Sequence, residues 1–220
     1  MPLPHHNTIM SVSTIQAETR ILIPNISWDV FEALGASDCA GIRFTYDRGN
    51  LEIMSPSPEH EWFHRLLGRM IEALTEELNI PIRSGGATTL KIQLKQRGLE
   101  PDECYYVLNE PRVRGKKDID LATEPPPDLA VEVDISHSSL DKMGIYADLG
   151  VPELWLYDGT SLRVFHLRAE GVYAQEQQSF AFPFLDLNEI HRFLDRCEET
   201  DETSWIRSFR SWVRQQYAQK

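Results

Sequence analysis

The sequence lacks a long apolar run. No stretch of its 220 residues approaches the ~18 consecutive apolar residues that a membrane-spanning helix needs. The first 24 residues also lack the basic segment followed by an apolar one that marks a secretory signal. We therefore expect a protein without a membrane partner and with a cytoplasmic location. Hydrophobic residues make up 41% of the chain and charged residues 25%, which is typical of a globular protein with a packed core.

Cysteine is also scarce. Cys39, Cys104 and Cys197 are odd in number, far apart and without the short spacing of a zinc site. This pattern excludes a disulfide-stapled scaffold and a cysteine zinc knot. Free thiols in a reducing compartment are expected instead.

Basic residues are few compared with acidic ones. The chain has 22 Lys and Arg against 34 Asp and Glu, a net charge of −12, which opposes the approach of a polyanion such as nucleic acid. The basic residues are nevertheless clustered locally, so either one positive face or ordinary solvated surface is compatible with the sequence. The clusters are Arg112, Arg114, Lys116 and Lys117; Lys91, Lys95 and Arg97; and Arg207, Arg210 and Arg214.

Helical and strand-like patterns alternate along the chain, which predicts an α/β fold. Residues 1–24 are expected to form a loose N-terminal arm, and residues 25–220 a single domain that ends in C-terminal helices. The predicted elements are, in chain order, a helix over 28–34, a hairpin over 42–46 and 51–54, a helix over 58–78, strands over 88–94, 103–108 and 128–135, a helix from 138 or 139 to 149, a strand over 153–157, a hairpin over 162–167 and 172–175, and two last helices, the first over 186–198.

The strand over 128–135 carries the clearest chemical signal. Because alternate residues of a strand share a face, Asp128, Glu132 and Asp134 are expected on one side and the apolar residues on the other. Clustered carboxylates repel one another unless a hard divalent cation, arginine or solvent offsets the charge. Asp102 stands just before the strand over 103–108. If the two strands are neighbours, Asp102 and Glu132 converge.

The long helix begins with a competing motif, His60-Glu61-Trp62-Phe63-His64, which has the H-E-x-x-H spacing. On a helix, His60 and His64 lie one turn apart and can bind zinc, with Glu61 as the general base of a protease. The motif lies in the first turn of the helix. The remaining histidines, His137, His166 and His191, have no motif that marks a third ligand.

Several segments together resemble a large bacterial family of restriction-endonuclease-like proteins in the PD-(D/E)XK nuclease superfamily. They are Glu-Pro-Asp-Glu-Cys-Tyr-Tyr-Val (100–107), Pro-Pro-Pro-Asp-Leu-Ala-Val-Glu-Val-Asp-Ile-Ser (125–136), Lys142 with Tyr146, Gly-Val-Pro-Glu-Leu-Trp-Leu-Tyr-Asp (150–158) and the stretch from Gly49 to His60. The resemblance implies a restriction-endonuclease-like core, with a mixed central β-sheet flanked by helices. It also implies a nuclease that uses Mg²⁺ or Mn²⁺ and acts on DNA.

When the motif of the family is matched to this sequence position by position, the resemblance implies that Asp102 and Glu132 are the metal ligands. The lysine expected two residues after Glu132 is replaced by Asp134, and Lys142 is the candidate substitute that orients the attacking water. Additional candidates for the site are Glu59, His60, Asp128 and Asp134.

The sequence leaves three alternative functions open. The first is a DNA endonuclease that acts as a homodimer; the second is a catalytically silent binding or scaffold protein with the same fold; the third is a zinc protease.

Overall fold

The computed structural model describes residues 18–37, 41–135 and 138–217. Residues 1–17 of the predicted arm, Cys39 and His137 lie outside the described residues. Six helices are described, α1 (Trp28–Gly35), α2 (Pro58–Leu78), α3 (Glu110–Val113), α4 (Lys142–Leu149), α5 (Leu187–Asp195) and α6 (Glu202–Tyr217). The described strands are β1 (Thr19–Ile23), β2 (Arg43–Asp47), β3 (Asn50–Ser55), β4 (Arg83–Ser84), β5 (Leu90–Ile92), β6 (Arg97–Leu99), β7 (Glu103–Tyr106), β8 (Leu129–Val133), β9 (Glu153–Tyr157), β10 (Leu162–Leu167) and β11 (Tyr173–Glu176).

Two sheets organise these strands. The first is antiparallel, in the order β1-β3-β2-β6-β5. The second has the order β11-β10-β9-β8-β7-β4 and is mixed, because β8 and β9 run parallel while its other pairs are antiparallel. The predicted α/β class and the mixed sheet are confirmed. The separate antiparallel sheet was not predicted.

The long helix α2 begins where the sequence predicts. Pro58 occupies its first turn, and the Ser57 side chain accepts a hydrogen bond from the backbone N–H of His60 at 3.1 Å. The helix ends at Asn79, whose φ of 54° is left-handed. Its apolar face packs on the mixed sheet, where Leu67 and Leu74 are almost fully buried. Helix α2 thereby fixes His60 and His64 against the sheet.

The arm prediction is wrong for its last residues. Thr19–Ile23 form β1, which pairs with β3 along its whole length. Ile21 and Leu22 are both about half exposed, so the segment has no alternating apolar pattern to reveal a strand. It is instead stabilised by backbone pairing and by an ion pair between Arg20 and Glu52.

Two other predicted boundaries are wrong. The strand over 88–94 is interrupted, since β5 is followed by a 3-10 turn over Gln93–Lys95 and by Gln96 at a φ of 53°, which reverses the chain into β6. Helix α4 begins at Lys142, with Asp141 as its cap, rather than at Ser138 or Ser139. Those two serines instead donate hydrogen bonds to the side chain of Glu52.

The C-terminal helix α6 packs inside its own chain. Trp205, Phe209 and Val213 are buried in the core between α6 and α2. These three residues of the apolar stripe of α6 are therefore packed inside their own chain. Within the described ranges, no helix has both the length and the apolarity to cross a membrane.

We expect Phe209→Ala to lower the free energy of unfolding by about 3–5 kcal/mol, because it leaves a cavity at a fully buried position. Urea denaturation measures the change. Leu94→Ala is the matched control, since Leu94 is 97% exposed and its loss should change stability by less than about 0.5 kcal/mol. Similar small effects in both variants would contradict the packing described for α6.

Candidate active site

Asp102 and Glu132 lie on neighbouring chain segments. Strands β7 and β8 pair antiparallel, with Glu103 opposite Val131. Asp102, just before β7, accepts a hydrogen bond from the backbone N–H of Val133 at 2.8 Å. Both carboxylates are only about 1% exposed. The convergence expected from the sequence is therefore present in the fold.

Glu132 is held by two residues of α4. Lys142, the first residue of the helix, places its Nζ 2.7 Å from Glu132 Oε2. Tyr146 is one turn further on, so it lies on the same side of the helix and donates its hydroxyl hydrogen bond to Glu132 Oε1. A helix directly after the strand thus delivers a cation and a neutral donor to one carboxylate.

The two carboxylates have opposite pKa shifts. Burial raises the pKa of Glu132, the charge of Asp102 raises it further, and Lys142 only partly offsets both. For Asp102 burial also acts upward, but the hydrogen bond and charge of His60, with smaller effects from Lys142 and Val133 N–H, lower its pKa overall. Burial lowers the pKa of Lys142, yet Glu132 and Asp102 raise it above its ordinary value. Lys142 is therefore a protonated donor rather than a base.

His60 is the third group around the pair. Its ring is completely buried, and Nε2 lies 3.2 Å from Asp102 Oδ2 and 3.8 Å from Glu18 Oε1. Burial lowers the pKa of His60, but the neighbouring Asp102, Glu18 and Glu132 carboxylates raise it overall. The neighbouring carboxylates therefore favour the protonated form of His60 beside Asp102.

Glu52 of β3 is a site residue that the sequence analysis missed. This buried carboxylate accepts hydrogen bonds from Arg20 at 3.0 Å, Ser138 Oγ at 2.8 Å and the Ser139 N–H at 2.7 Å. It thereby anchors the segment that leads into α4 and Lys142. The sequence signal was a lone glutamate inside the apolar run Leu51-Glu52-Ile53-Met54.

The three carboxylates predicted on one face of the strand over 128–135 do not converge. Asp128 lies at the opposite end of β8, where it accepts hydrogen bonds from the N–H of Val107 at 2.7 Å and from the N–H and side chain of Asn109 at 2.8 and 2.7 Å. Asp134 follows the end of β8 and lies 3.4 Å from Arg20. Of these three carboxylates, only Glu132 is therefore brought to Asp102.

The side chain of Glu59 has no hydrogen bond or ion pair with any residue in the described ranges. Its side chain is partly buried in the first turn of α2. Of the additional candidates, His60 alone contacts the carboxylate pair.

The H-E-x-x-H motif is not arranged as a zinc site. His60 contacts Asp102, whereas His64 Nε2 lies 3.0 Å from Glu103 Oε1. Glu61 lies 3.5 Å from both His64 Nδ1 and Arg43 Nη2. Across the part of the chain that the structure describes, no three His, Cys, Asp or Glu side chains are grouped to hold a metal ion.

The Asp102 and Glu132 pair nevertheless fits a magnesium ion in its chemistry. Mg²⁺ commonly takes one or two carboxylates and completes its coordination with water and substrate phosphate, so it does not need three protein ligands. Both groups are oxygen donors, and the charge of Asp102 raises the pKa of Glu132 despite the nearby Lys142. A bound cation would relieve that repulsion.

The basic clusters provide little free positive charge. Seven of their residues are ion-paired. Six of these residues pair as follows: Lys91 to Glu32, Lys95 and Arg97 to Asp148, Arg114 to Glu110, Lys116 to Glu124, and Arg210 to Glu76 and Glu77. Arg214 also pairs with Glu77. A positive face made by these clusters is therefore not supported.

We expect Asp128→Ala to destabilise the protein by about 2–4 kcal/mol, because it leaves three hydrogen-bond donors at Val107 and Asn109 without their acceptor. Asp128→Asn retains one acceptor oxygen and should cost clearly less. Thermal and urea unfolding of the two variants test this. Equal stability of Asp128→Ala and the wild type would contradict the structural role of Asp128.

Comparison with known proteins supports the nuclease-like fold. The family model described as "Uma2: Putative restriction endonuclease" matches residues 28–194, which is more than half of the chain. That range contains Asp102, Glu132 and Lys142. Comparison with curated proteins gives no match. The chain belongs to the Uma2 family, within the restriction-endonuclease-like PD-(D/E)XK superfamily, and this family suggests nuclease activity.

Proposed function

We propose that this protein is a Mg²⁺-dependent endonuclease that hydrolyses DNA phosphodiester bonds, with Asp102 and Glu132 as metal ligands. One observation carries the proposal. Two buried carboxylates converge, one just before β7 and one on β8, and the amine nitrogen of Lys142 lies 2.7 Å from one of them. Membership of the Uma2 family supports the same reaction class.

The residues around the pair have distinct roles in this proposal. Lys142 carries a positive charge and N–H donors, so it can hold the attacking water and stabilise negative charge on the phosphate. Tyr146 keeps the Glu132 carboxylate in a fixed orientation, and His60 does the same for Asp102. A bound Mg²⁺ or Mn²⁺ would supply Lewis-acid polarisation of the phosphate and a more acidic water.

A silent binding or scaffold protein is the alternative. Both oxygens of Glu132 already contact donors of the protein itself, Lys142 and Tyr146. A protein that satisfies its carboxylates internally has less need of a metal. Titration calorimetry with Mg²⁺ and Mn²⁺ separates the two functions, since the scaffold predicts no binding.

The substrate and the assembly are also part of the proposal. Two cuts in a duplex are most simply made by a two-fold dimer, so we propose a homodimer that acts on DNA. Light scattering with and without a DNA duplex measures the oligomeric state.

We expect Glu132→Gln to reduce metal-dependent cleavage of supercoiled and linear DNA by at least ~100-fold, because it removes a charged ligand. Asp128→Asn is the matched control. It also replaces a buried carboxylate next to β8, but at the opposite end of the strand, and should retain cleavage in its folded fraction. Chelator should abolish the wild-type activity. Cleavage that persists in folded Glu132→Gln would contradict the assignment.

Lys142→Ala should lower kcat by roughly 100-fold while changing metal affinity much less, because the ammonium acts on the water and the phosphate. Single-turnover kinetics give the first quantity and calorimetry the second. A parallel loss of kcat and metal affinity would show that Lys142 serves only to hold Glu132.

A further inference from the structure

Arg43 is a cation at the site to which nothing above gives a role. It is the first residue of β2 and lies opposite Met54 of β3 in the antiparallel sheet. Its guanidinium lies near two carboxylates, with Nε 4.0 Å from Asp102 Oδ1 and Nη2 3.5 Å from Glu61 Oε1. The first sheet therefore places a fixed positive charge beside the proposed metal ligand.

The contacts of Arg43 are electrostatic rather than hydrogen-bonded. Within residues 18–37, 41–135 and 138–217, the Arg43 side chain donates no hydrogen bond, and its Nε is buried without a partner. Arginine has five N–H donors, and a buried donor without an acceptor destabilises a protein. The neighbouring Glu61 Oε1 is likewise buried without a hydrogen bond. Arg43 thus lies near two carboxylates while its buried Nε donor has no hydrogen-bond partner among the described residues.

Two other cations of the site, Arg20 and Lys142, differ from Arg43 in this respect. Arg20 donates hydrogen bonds to Glu18 and Glu52, each at 3.0 Å, and Lys142 is bound to Glu132. Arg43 keeps 14% of its side chain exposed, and the Glu61 beside it is 40% exposed. A ligand that approaches from the Glu61 side can therefore reach the guanidinium.

We propose that Arg43 binds a non-bridging oxygen of the substrate phosphodiester, as a further catalytic residue; this rests on the function proposed above. The planar fork of arginine matches the geometry of phosphate and makes strong charge-assisted hydrogen bonds to it. A chain of net charge −12 whose basic clusters are largely ion-paired needs such a cation beside its carboxylates.

The experiment measures the affinity of the full chain for a labelled DNA duplex between 50 and 200 mM salt, together with kcat and KM for cleavage. Each protein–phosphate contact contributes roughly 0.9 to the slope of log K against log salt. Arg43→Met keeps the apolar stem and removes the charge, so it should reduce the slope by about one and raise KM roughly tenfold. Arg43→Lys should retain the slope but lose at least about tenfold in kcat, because it lacks the fork.

Arg112→Ala is the control for loss of one positive charge elsewhere. Arg112 is exposed on α3, close to Asn109 and Asp128 and hence at the opposite end of β7 and β8 from Asp102. The Arg112→Ala variant should have a kcat within about twofold of the wild-type value. Urea unfolding establishes that the variants are folded.

The outcomes separate the two proposals. If the wild type binds and cuts DNA but folded Arg43→Met retains its salt slope and KM, the role of Arg43 is overturned and the nuclease stands. If Arg43→Lys keeps the wild-type kcat, the proposal that the planar guanidinium recognises the phosphate is overturned. If the wild type neither binds nor cuts DNA, the proposed function fails and the role of Arg43 fails with it.

Discussion

Two carboxylates buried side by side are the constraint on which the rest of the site depends. Asp102 and Glu132 lose nearly all contact with water, and the repulsion between them adds to that cost. Three groups of the protein offset the lost hydration and the repulsion: the Val133 N–H, the Lys142 ammonium and the His60 ring. These groups come from a strand and two helices, so the pair can be buried only when all three elements are in place. Such an expensive arrangement is more typical of a functional site than of a core.

The position of Lys142 depends on contacts that cross between the two sheets. Glu52 of the first sheet binds the Ser138 and Ser139 segment before α4. Arg97, also of the first sheet, donates a hydrogen bond to the Gly144 carbonyl oxygen of α4 at 2.7 Å. The antiparallel sheet therefore acts as a brace for the helix that carries the lysine. This explains how a lysine at the start of a helix is fixed against Glu132.

The sequence predicts local structure and one pair of the site, and it fails where contacts join distant segments. Ser57 and Pro58 reveal the start of α2, and the alternation around Glu132 reveals β8, because capping and strand periodicity act over a few residues. The roles of Arg43 and Glu52 could not be predicted, since their partners lie far along the chain. The basic clusters suggested a positive face that the fold does not support, for the same reason. Their charges are matched by glutamates and aspartates that only the tertiary fold brings close.

Net charge is a weak guide to what such a site can bind. At physiological ionic strength the Debye length is about 8 Å, so acidic groups far across the surface are largely screened from the site. Charges within a few ångströms in a partly buried setting are screened much less, and there Asp102 and Glu132 face Lys142, His60 and Arg43. A phosphate that reaches Asp102 and Glu132 meets this local balance rather than the −12 of the whole chain. The acidic composition is thus compatible with a polyanionic substrate, provided that the cations beside the carboxylate pair remain in place.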